Sequence, residues 1–567
     1  MSQIVKPSSD SARIDRTRRG PSAPVIAEVL VPKLSANWAL DGRHLLLIAG
    51  FALLFMHQNY LPLFHSDIWG HVAYGNWILE HRSLPTEEPF VTLAEGVPVV
   101  DTAWLGQVLF ALAGRTGGPE AYSHLFAVVV LAGVLALMRA IYLQTRSAGL
   151  SAAGAWLAWV LGFSRHAVVR PEAFGVLCFA LLWWLVVRTD EHRSRGLPRH
   201  RESAFGPAWL PYVAMPLLFA VWANLHGSFV VGFAVLGAYC AGRVCEVLWH
   251  CRSLRAVLND RIFRRWLVLG ELALVGTLAN PHGFDLLLNT VLFPSNPNLK
   301  DVLEWFPLSV VSLEAIPMAF SWILLLVVLR HSRARVAASD VFVLAIFTLA
   351  ACLRVRMVSW YAPSLVVVLG PHVADILAQL RASAVGEAIC QQAEPLYRRS
   401  FRLTLIGGLL VWMTFAFSPI SRPILGGQPR PEDQLYSHDT PLGVTKWLRE
   451  HPPQGMVANP QWWGDWIVWD GPPGIEVMMT TNAVHVAPQR VWKDYLAISQ
   501  SQPGLQRRLN KYRANTIIVC KELQSALERS VRTLPGWKIV YEDDVGLVAV
   551  RDGSVSTSPT ESETSGE

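Results

Sequence analysis

Apolar runs long enough to cross a lipid bilayer recur about eleven times along this sequence, since a helix rising 1.5 Å per residue needs roughly 20 residues to cross about 30 Å of hydrocarbon. Hydrophobic residues make up 52% of the 567 residues and charged residues only 16%, which excludes a soluble enzyme of this size. The sequence therefore predicts a polytopic α-helical membrane protein. The predicted spans are 43–62, 120–142, 148–163, 172–188, 208–224, 228–249, 266–280, 316–330, 339–353, 358–378 and 402–418.

Lys and Arg are clustered in short segments between these runs rather than on one domain. The net charge of +6 is therefore interpreted as a mark of membrane topology, and no nucleic-acid partner is expected. The basic segments are the N-terminus and alternate loops, and loops of this kind remain in the cytoplasm. This pattern predicts a cytoplasmic N-terminus, with the loop 63–103 and everything after about residue 419 outside the cytoplasm.

Composition changes divide the chain into five parts. Pro, Gly and polar residues replace the apolar runs after residue 418, and strand-like and helix-like segments then alternate over a length sufficient for a small α/β domain. Both chain ends are polar and predicted to be disordered. The predicted organisation is a cytoplasmic tail (1–42), a transmembrane domain (43–418), a linker (419–437), an extracytoplasmic α/β domain (438–552) and a second tail (553–567).

The stretch HSDIWGHVAYGNWILEH, residues 65–81, follows the first apolar run and begins the predicted external loop. Asp67 and His71 are four residues apart and share one face of a predicted amphipathic helix. We expect this helix to lie along the membrane interface, with Trp69 and Trp77 at the level of the lipid headgroups.

Three arginines stand at the predicted external ends of separate spans, although this protein otherwise keeps its basic residues on the cytoplasmic side. Arg170, Arg354 and Arg356 could converge on a phosphate, whose oxygens match the forked donors of a guanidinium group. The alternative is that they pair with Glu172, Asp101 or lipid headgroups.

Acidic and imidazole side chains at the same ends are candidates for catalysis. Asp67 could accept a proton from an acceptor hydroxyl, or it could cap the helix that follows it. Asp101 and His71 have the same two interpretations, a catalytic role or a structural one. The remaining polar residues at these ends, which could line a site or simply stabilise turns, are Glu172, Asn224, His226, Asn280 and His282.

Five further stretches stand out at or near the predicted external ends of the spans: SDIWGHVAYGNWILEHRSLPTEEPF, VDTAWLGQVLF, VVRPEAFGVL, WANLHGSFVVG and LANPHGFD. Together these motifs resemble a group of bacterial membrane proteins related to the GT-C class of glycosyltransferases. The resemblance implies a bacterial inner-membrane enzyme with a polyprenyl-phosphate-linked sugar donor. It also implies an acidic residue in the first external loop, the position of Asp67, and an extracytoplasmic glycan, lipid or protein as acceptor. Membrane lipids are the remaining expected partner.

Two departures from the class bear on the chemistry. In oligosaccharyltransferases the second external loop carries an acidic pair that holds a metal, whereas here the corresponding SRHAVVRPE has Glu172 as its only acid. Paired acids in the first loop are also absent, since Asp67 is followed by Ile68. The expectation is therefore an inverting transfer without a metal or other cofactor, with a divalent metal left open.

The segment ANPQWWGDWIVWDGPP, residues 458–473, resembles the Trp-Trp-Asp-Tyr-Gly region with which oligosaccharyltransferases recognise the acceptor peptide. Gly464 intervenes before the aspartate, so recognition of a peptide sequon is not expected. Trp462, Trp463 and Asp465 are candidates for acceptor binding, because tryptophan faces bind sugar rings. The alternative is packing within the domain or against the transmembrane domain.

Two further functions stay open on the sequence. A transporter of a lipid-linked substrate would have ionisable residues near the membrane midplane and inverted repeats, and neither is evident. A noncatalytic scaffold that binds glycans would have a groove filled by apolar side chains beneath the loop 63–103.

Overall fold

The computed structural model describes residues 40–190, 207–309, 311–312, 314–384 and 396–552. The predicted C-terminal tail and almost all of the predicted N-terminal tail lie outside these residues. Each predicted span coincides with one helix. The helices of the N-terminal part are α1 (Gly42–Tyr60), α2 (Ile68–His81), α3 (Trp104–Gly117), α4 (Glu120–Thr145), α5 (Ala148–Leu161), α6 (Glu172–Thr189), α7 (Leu210–Leu225), α8 (Phe229–Cys251), α9 (Arg261–Thr277), α10 (Phe284–Leu292), α11 (Ala315–His331), α12 (Ala338–Leu353), α13 (Val358–Ala384) and α14 (Leu396–Ala416).

Helix length and apolarity qualify four segments of the described chain as bilayer spans. These are Glu120–Thr145, Glu172–Thr189, Phe229–Cys251 and Val355–Arg381. Six further apolar helices are 10–17 residues long. Apolar helices thus make up most of the described N-terminal part. The number of helices that cross the membrane, eleven, stays a prediction.

Helix α6 lies at the centre of the packed helices. The ring of Phe179 contacts Trp222 of α7, Phe347 of α12 and Trp360 of α13, with centroids 5.3–6.3 Å apart. Its neighbour Trp183 is fully buried. Edge-to-face aromatic pairs of this kind each add about 0.5–1.5 kcal/mol to the stabilisation from burial alone. The first turn of α6 is therefore held in place, and this turn carries Glu172.

The C-terminal part is a small α/β domain. Its strands are β1 (Met456–Ala458), β2 (Ala514–Cys520), β3 (Trp537–Glu542) and β4 (Gly546–Arg551). They form one sheet in the order β1-β2-β4-β3, with β1 parallel to β2 and the other pairs antiparallel. Strand β2 is almost entirely buried because it lies between β1 and β4 and is covered by helices. The helices are α15 (Leu442–Glu450), α16 (Gln461–Asp470), α17 (Gln489–Ser499), α18 (Leu505–Lys511) and α19 (Ser525–Arg532).

Much of helix α2, which was predicted to lie at the membrane interface, is covered by protein. The structure buries it between α3 and the C-terminal domain. Gly70 and Gly75 permit this arrangement, because a Cβ atom at Gly70 would overlap Asp465 and one at Gly75 would overlap the backbone of Gln107. The amphipathic pattern shows which face is apolar but does not distinguish a lipid neighbour from a protein neighbour.

The position of Trp69 also differs from the prediction. It is fully buried, and its ring lies 4.2 Å from that of Trp469 and 4.8 Å from that of Trp466, both in α16. Its Nε1 donates a hydrogen bond to the carbonyl of Phe64. The prediction of a headgroup position is therefore wrong for Trp69, because the C-terminal domain covers this face of α2. Trp77 is only half-buried and stacks on His81.

The segment predicted as a linker is attached to the helices rather than extended. It contains short helices at Pro419–Ser421, Arg422–Leu425 and Glu432–Leu435. Arg430 is buried and donates to Glu120 at the start of α4. Backbone hydrogen bonds also join residues 435 and 437 to Leu63. These contacts hold the C-terminal domain against the first loop, where the predicted site lies.

Candidate active site

A polar cavity of about 230 Å³ lies where α2, the ends of several long helices and the C-terminal domain meet. It is lined by parts of the chain that are far apart in sequence, including Gln461 and residues 481–486 of the C-terminal domain. Twelve of the lining side chains are ionisable. They are Asp67, His71, Tyr74, Glu88, Asp101, Arg165, Arg170, Glu172, His226, Glu304, Arg356 and His485.

Guanidinium and carboxylate groups form one connected network on one side of this cavity. The Nε of Arg170 lies 3.2 Å from Oδ1 of Asp67, and its Nη1 donates to Glu304. Arg165 donates to the same Glu304 oxygen at 2.7 Å and, with its other terminal nitrogen, to Glu172. Asp67 and Arg170 therefore meet in one cavity, although they are 103 positions apart in the sequence.

Electrostatics keep this network ionised. Burial alone would raise the pKa of Glu304, but Arg170 and Arg165 outweigh it and hold that pKa far below its usual value. Burial would lower the pKa of Arg165, and its two carboxylate partners raise it instead. Opposite charges within hydrogen-bonding distance stabilise each other strongly in a site shielded from water.

Asp67 occupies the position before the first residue of α2, but its side chain makes no capping hydrogen bond. The capping interpretation of Asp67 is therefore wrong, because the carboxylate points to Arg170 and away from the backbone N–H groups of the first turn. About 22% of the side chain is exposed, toward the cavity. A carboxylate held by one ion pair at the edge of a cavity is accessible to a bound molecule.

Asp101 is more enclosed than Asp67. Its Oδ1 accepts hydrogen bonds from the backbone of Ala103 at 2.9 Å and from Gln107 at 3.1 Å, which stabilises the start of α3. Its Oδ2 is buried and has no hydrogen-bond partner among the described residues. Burial raises the pKa of Asp101 to about 6. The same Gln107 lies 3.3 Å from His71, whose pKa burial lowers, so His71 is neutral near pH 7.

The raised pKa of Asp101 predicts a pH-dependent stability. The folded state binds this proton more tightly than the unfolded state, so the contribution is present at low pH and is lost as pH rises from about 4 to about 6. The largest value, on the order of 3 kcal/mol, follows from about two pKa units. We expect Asp101→Asn to match the parent in Tm at pH 4.5 and to exceed it by several degrees at pH 8. Thermal unfolding in detergent measures this difference.

Asp433 provides the control for this prediction, because it is an exposed aspartate far from the cavity. Asp433→Asn should leave the Tm difference from the parent the same at both pH values. A Tm difference for Asp101→Asn that does not grow between pH 4.5 and pH 8 would contradict a buried, ionisable Asp101.

The arginines predicted to bind phosphate separate into two groups. Arg170 and Arg356 line the cavity, and the Arg356 guanidinium lies 4.8 Å from the ring centroid of Trp305. Arg354 does not line it, because its Nη1 donates to the carbonyl of Trp305 at 2.7 Å. Arg165, which was not among the predicted phosphate ligands, is the third arginine that lines the cavity.

The two Asn-His turns also separate. His226 lines the cavity and contacts the hydroxyl of Ser228, and burial lowers its pKa to about 4. Asn224 instead accepts from Trp104 and donates to the carbonyl of Ala279. Asn280 and His282 form the neighbouring turn, in which the Asn280 side chain accepts from the His282 backbone. These hydrogen bonds indicate that Asn224 and Asn280 stabilise the local fold outside the cavity.

The tryptophan-rich cluster packs rather than faces the cavity. Trp463 is 0% exposed and Asp465 is 1% exposed, and neither lines the cavity, nor does Trp462. Asp465 lies behind α2 and accepts a hydrogen bond from the backbone of Thr481. Burial and the nearby charge of Asp67 raise the pKa of Asp465 well above its usual value. The packing interpretation thus fits these residues better than acceptor binding does.

Several lining residues were not found from the sequence. Glu304 and His485 belong to segments with no recognised motif, and Glu88 is held by Tyr74 in the first loop. The one available signal for Glu304 was an acid within VLEWFP, residues 302–307, whose other residues are apolar. Within the described ranges, no three His, Cys, Asp or Glu side chains are placed to hold a metal ion.

The helical core, the small sheet and the cavity between them together have a GT-C-like fold. The archaeal oligosaccharyltransferase AglB from Archaeoglobus fulgidus, in complex with an inhibitory peptide and a dolichol-phosphate, matches with a TM-score of 0.52 and 11% identity over 91% of this chain and 75% of that one. ArnT from Cupriavidus metallidurans, bound to undecaprenyl phosphate, matches with a TM-score of 0.50 and 13% identity over 92% of this chain and all of that one. No protein-family model and no curated protein matches the sequence.

Proposed function

We propose that this protein is a membrane glycosyltransferase that transfers a sugar, with inversion, from a polyprenyl-phosphate-linked donor to an extracytoplasmic acceptor. One observation carries the proposal. The carboxylate of Asp67 and the guanidinium groups of Arg165, Arg170 and Arg356 line the same enclosed cavity. A base beside a set of phosphate ligands is the minimum that such a transfer needs.

The arginines are assigned to the phosphate of the donor. They come from two places in the chain, the segment before α6 and the turn after α12, and present several N–H donors to one volume, which suits the oxygens of a phosphate. During transfer the bond between the anomeric carbon and the phosphate oxygen breaks, and the phosphate keeps the electron pair. The guanidinium groups stabilise that growing negative charge, because they are fixed before the reaction begins.

Asp67 is assigned as the base. Glu172 is tied to Arg165 and Ser359, and Asp101 accepts two hydrogen bonds, so both are already engaged in the structure. Asp67 has the ion pair with Arg170 and an exposed edge. In the proposed step Asp67 takes the proton of an acceptor hydroxyl or amine, and that atom bonds to the anomeric carbon on the face opposite the phosphate.

The structural neighbours support the class of donor. The AglB complex contains a dolichol-phosphate and the ArnT complex an undecaprenyl phosphate, and both are polyprenyl phosphates. Their likeness to this chain concerns the fold, so the identity of the donor here is a proposal. The charged lining of the cavity also disfavours the scaffold hypothesis, which requires a groove filled by apolar side chains.

Replacement of Arg170 tests the donor assignment. We expect Arg170→Gln to weaken binding of undecaprenyl phosphate by the purified protein at least tenfold, because one charged ligand of the phosphate is lost. Equilibrium binding in detergent or nanodiscs measures this change, and transfer of sugar from a polyprenyl-phosphate sugar to added acceptors measures activity.

Arg115 is the matched control for Arg170. It is an exposed arginine of α3 that pairs with Glu80 of α2, so Arg115→Gln removes a cation and an ion pair outside the cavity. Binding by Arg115→Gln should equal that of the parent. If Arg170→Gln binds as well as Arg115→Gln does, the arginines are not the phosphate ligands.

A further inference from the structure

Glu304 holds a position that a phosphate oxygen would take. One oxygen of its carboxylate accepts hydrogen bonds from both Arg165 and Arg170. Glu304 belongs to a short turn, Leu303–Trp305, in the segment between α10 and α11, whereas both arginines lie beside the start of α6. The carboxylate therefore reaches into the arginine cluster from a different part of the chain.

The cluster has no surplus positive charge while Glu304 is in place. The guanidinium groups of Arg165, Arg170 and Arg356 face the carboxylates of Asp67, Glu172 and Glu304. The other two acids of the cavity lining, Glu88 and Asp101, cannot supply a surplus of positive charge either. An anion that enters a site of this kind must therefore displace one of the carboxylates, because a buried excess of negative charge is strongly unfavourable.

Glu304 is the most exposed of these three carboxylates, at 29% against 22% for Asp67 and 10% for Glu172. Glu172 is the first residue of α6 and is fixed by Arg165 and Ser359. The Glu304 side chain is held by hydrogen bonds from Arg165 and Arg170, which a phosphate oxygen could accept in its place. Its backbone stays in place, because the carbonyl of Phe306 accepts from Val355 and the side chain of Asn298 donates to two carbonyls of the C-terminal domain. The movement is thus a rotation of one side chain.

We propose that the Glu304 carboxylate occupies the phosphate position between Arg165 and Arg170 in the ligand-free protein and is displaced when the donor binds. The inference rests on the proposed function and adds a basis for selectivity. Free inorganic phosphate must displace a hydrogen-bonded carboxylate without help, while a lipid-linked phosphate also gains contacts from its sugar and lipid. Glu304 thus discriminates against small anions by competition.

Removal of the Glu304 charge tests the inference in the full-length purified protein. The probes are inorganic phosphate and undecaprenyl phosphate, and the readouts are equilibrium binding and the ligand-induced change in Tm. We expect Glu304→Gln to bind inorganic phosphate at least tenfold more tightly than the parent. Its Tm without ligand should be lower and its increase on phosphate addition larger, because Arg165 and Arg170 lose a partner that phosphate replaces.

Two further variants separate charge from shape. Glu304→Asp keeps the negative charge, so its affinity for phosphate should stay within about threefold of the parent, well short of the tenfold (1.4 kcal/mol) change expected for Glu304→Gln. Glu304→Ala removes the carboxylate and the side chain together, and it should show the same gain as Glu304→Gln. It also provides the measurement if the glutamine variant is poorly folded.

The outcomes distinguish this inference from the proposed function. Unchanged or weaker phosphate binding by both Glu304→Gln and Glu304→Ala overturns the competition by Glu304. A gain for inorganic phosphate, with no undecaprenyl phosphate binding by any form of the protein, supports the competition and contradicts the proposed lipid donor. A gain for both probes supports both.

Discussion

Asp67→Asn is expected to lower sugar transfer by about 10²–10⁴-fold, the usual contribution of a positioned general base. Asparagine has nearly the same shape as aspartate but does not accept a proton near neutral pH. The change also removes one negative charge beside Arg170, so binding of undecaprenyl phosphate should be equal to or tighter than that of the parent. A fall in activity without a fall in donor binding assigns Asp67 to the chemical step.

Glu80 is the matched control for Asp67, since it is an exposed acid on α2 outside the cavity. Glu80→Gln should retain parental activity. If Asp67→Asn also retains activity within threefold, Asp67 has no part in the mechanism. If Asp67→Asn loses donor binding as well as activity, its role is to orient Arg170 instead.

Trp69→Ala is expected to destabilise the contact between α2 and the C-terminal domain by about 3–5 kcal/mol, the range for a large aromatic side chain removed from a packed core. The side chain is fully buried and contacts the rings of Trp466, Trp469 and Tyr122. Thermal unfolding and limited proteolysis of the purified protein measure this effect. Activity should fall as well, because Asp67 lies two residues before Trp69 and depends on the position of α2.

Trp77 gives an internal comparison on the same helix. It is half-buried, and its ring stacks on that of His81 in the same helix. We therefore expect Trp77→Ala to change the Tm much less than Trp69→Ala does. Equal effects of the two substitutions would contradict the structural role of the buried contact and would favour the membrane-interface position for both rings.

The competing hypotheses make different predictions for these variants. A noncatalytic scaffold would show no sugar transfer and no effect of Asp67→Asn, while Trp69→Ala would still destabilise it. A transporter of a lipid-linked substrate would bind undecaprenyl phosphate and depend on Arg170, but it would form no glycosylated product. Product analysis therefore separates the proposed enzyme from the transporter, and binding separates both from the scaffold.

The sequence located the candidate base and one of its partners without coordinates. Asp67 was identified because it lies at the predicted external end of a span, in the first external loop, where the family resemblance implies an acidic residue, and Arg170 because a basic residue on the predicted external side needs an anionic partner. Both line the cavity. Arg354 was selected by the same argument as Arg356, yet only Arg356 faces the cavity. Two residues separated by one position on a short turn point in different directions, and local pattern does not determine which one turns inward.

Glu304 and the C-terminal contribution to the cavity were not identifiable in this way. The contact between Glu304 and Arg170 joins segments 134 positions apart. Nothing within either segment specifies the other, because ion pairs of this kind are selected by the folded geometry rather than by local spacing. His485 likewise enters the cavity only because the C-terminal domain packs against α2.

By itself, the sequence determined where the helices lie, which segments are apolar, and that an α/β domain follows them. These properties depend on hydrophobic content and periodicity within one segment, which are local quantities. Only the tertiary structure decided that α2 is covered by protein rather than lipid, which arginines converge, and that Glu304 stands between two of them. Burial of a face is encoded locally, but the identity of the group that buries it depends on how distant segments pack.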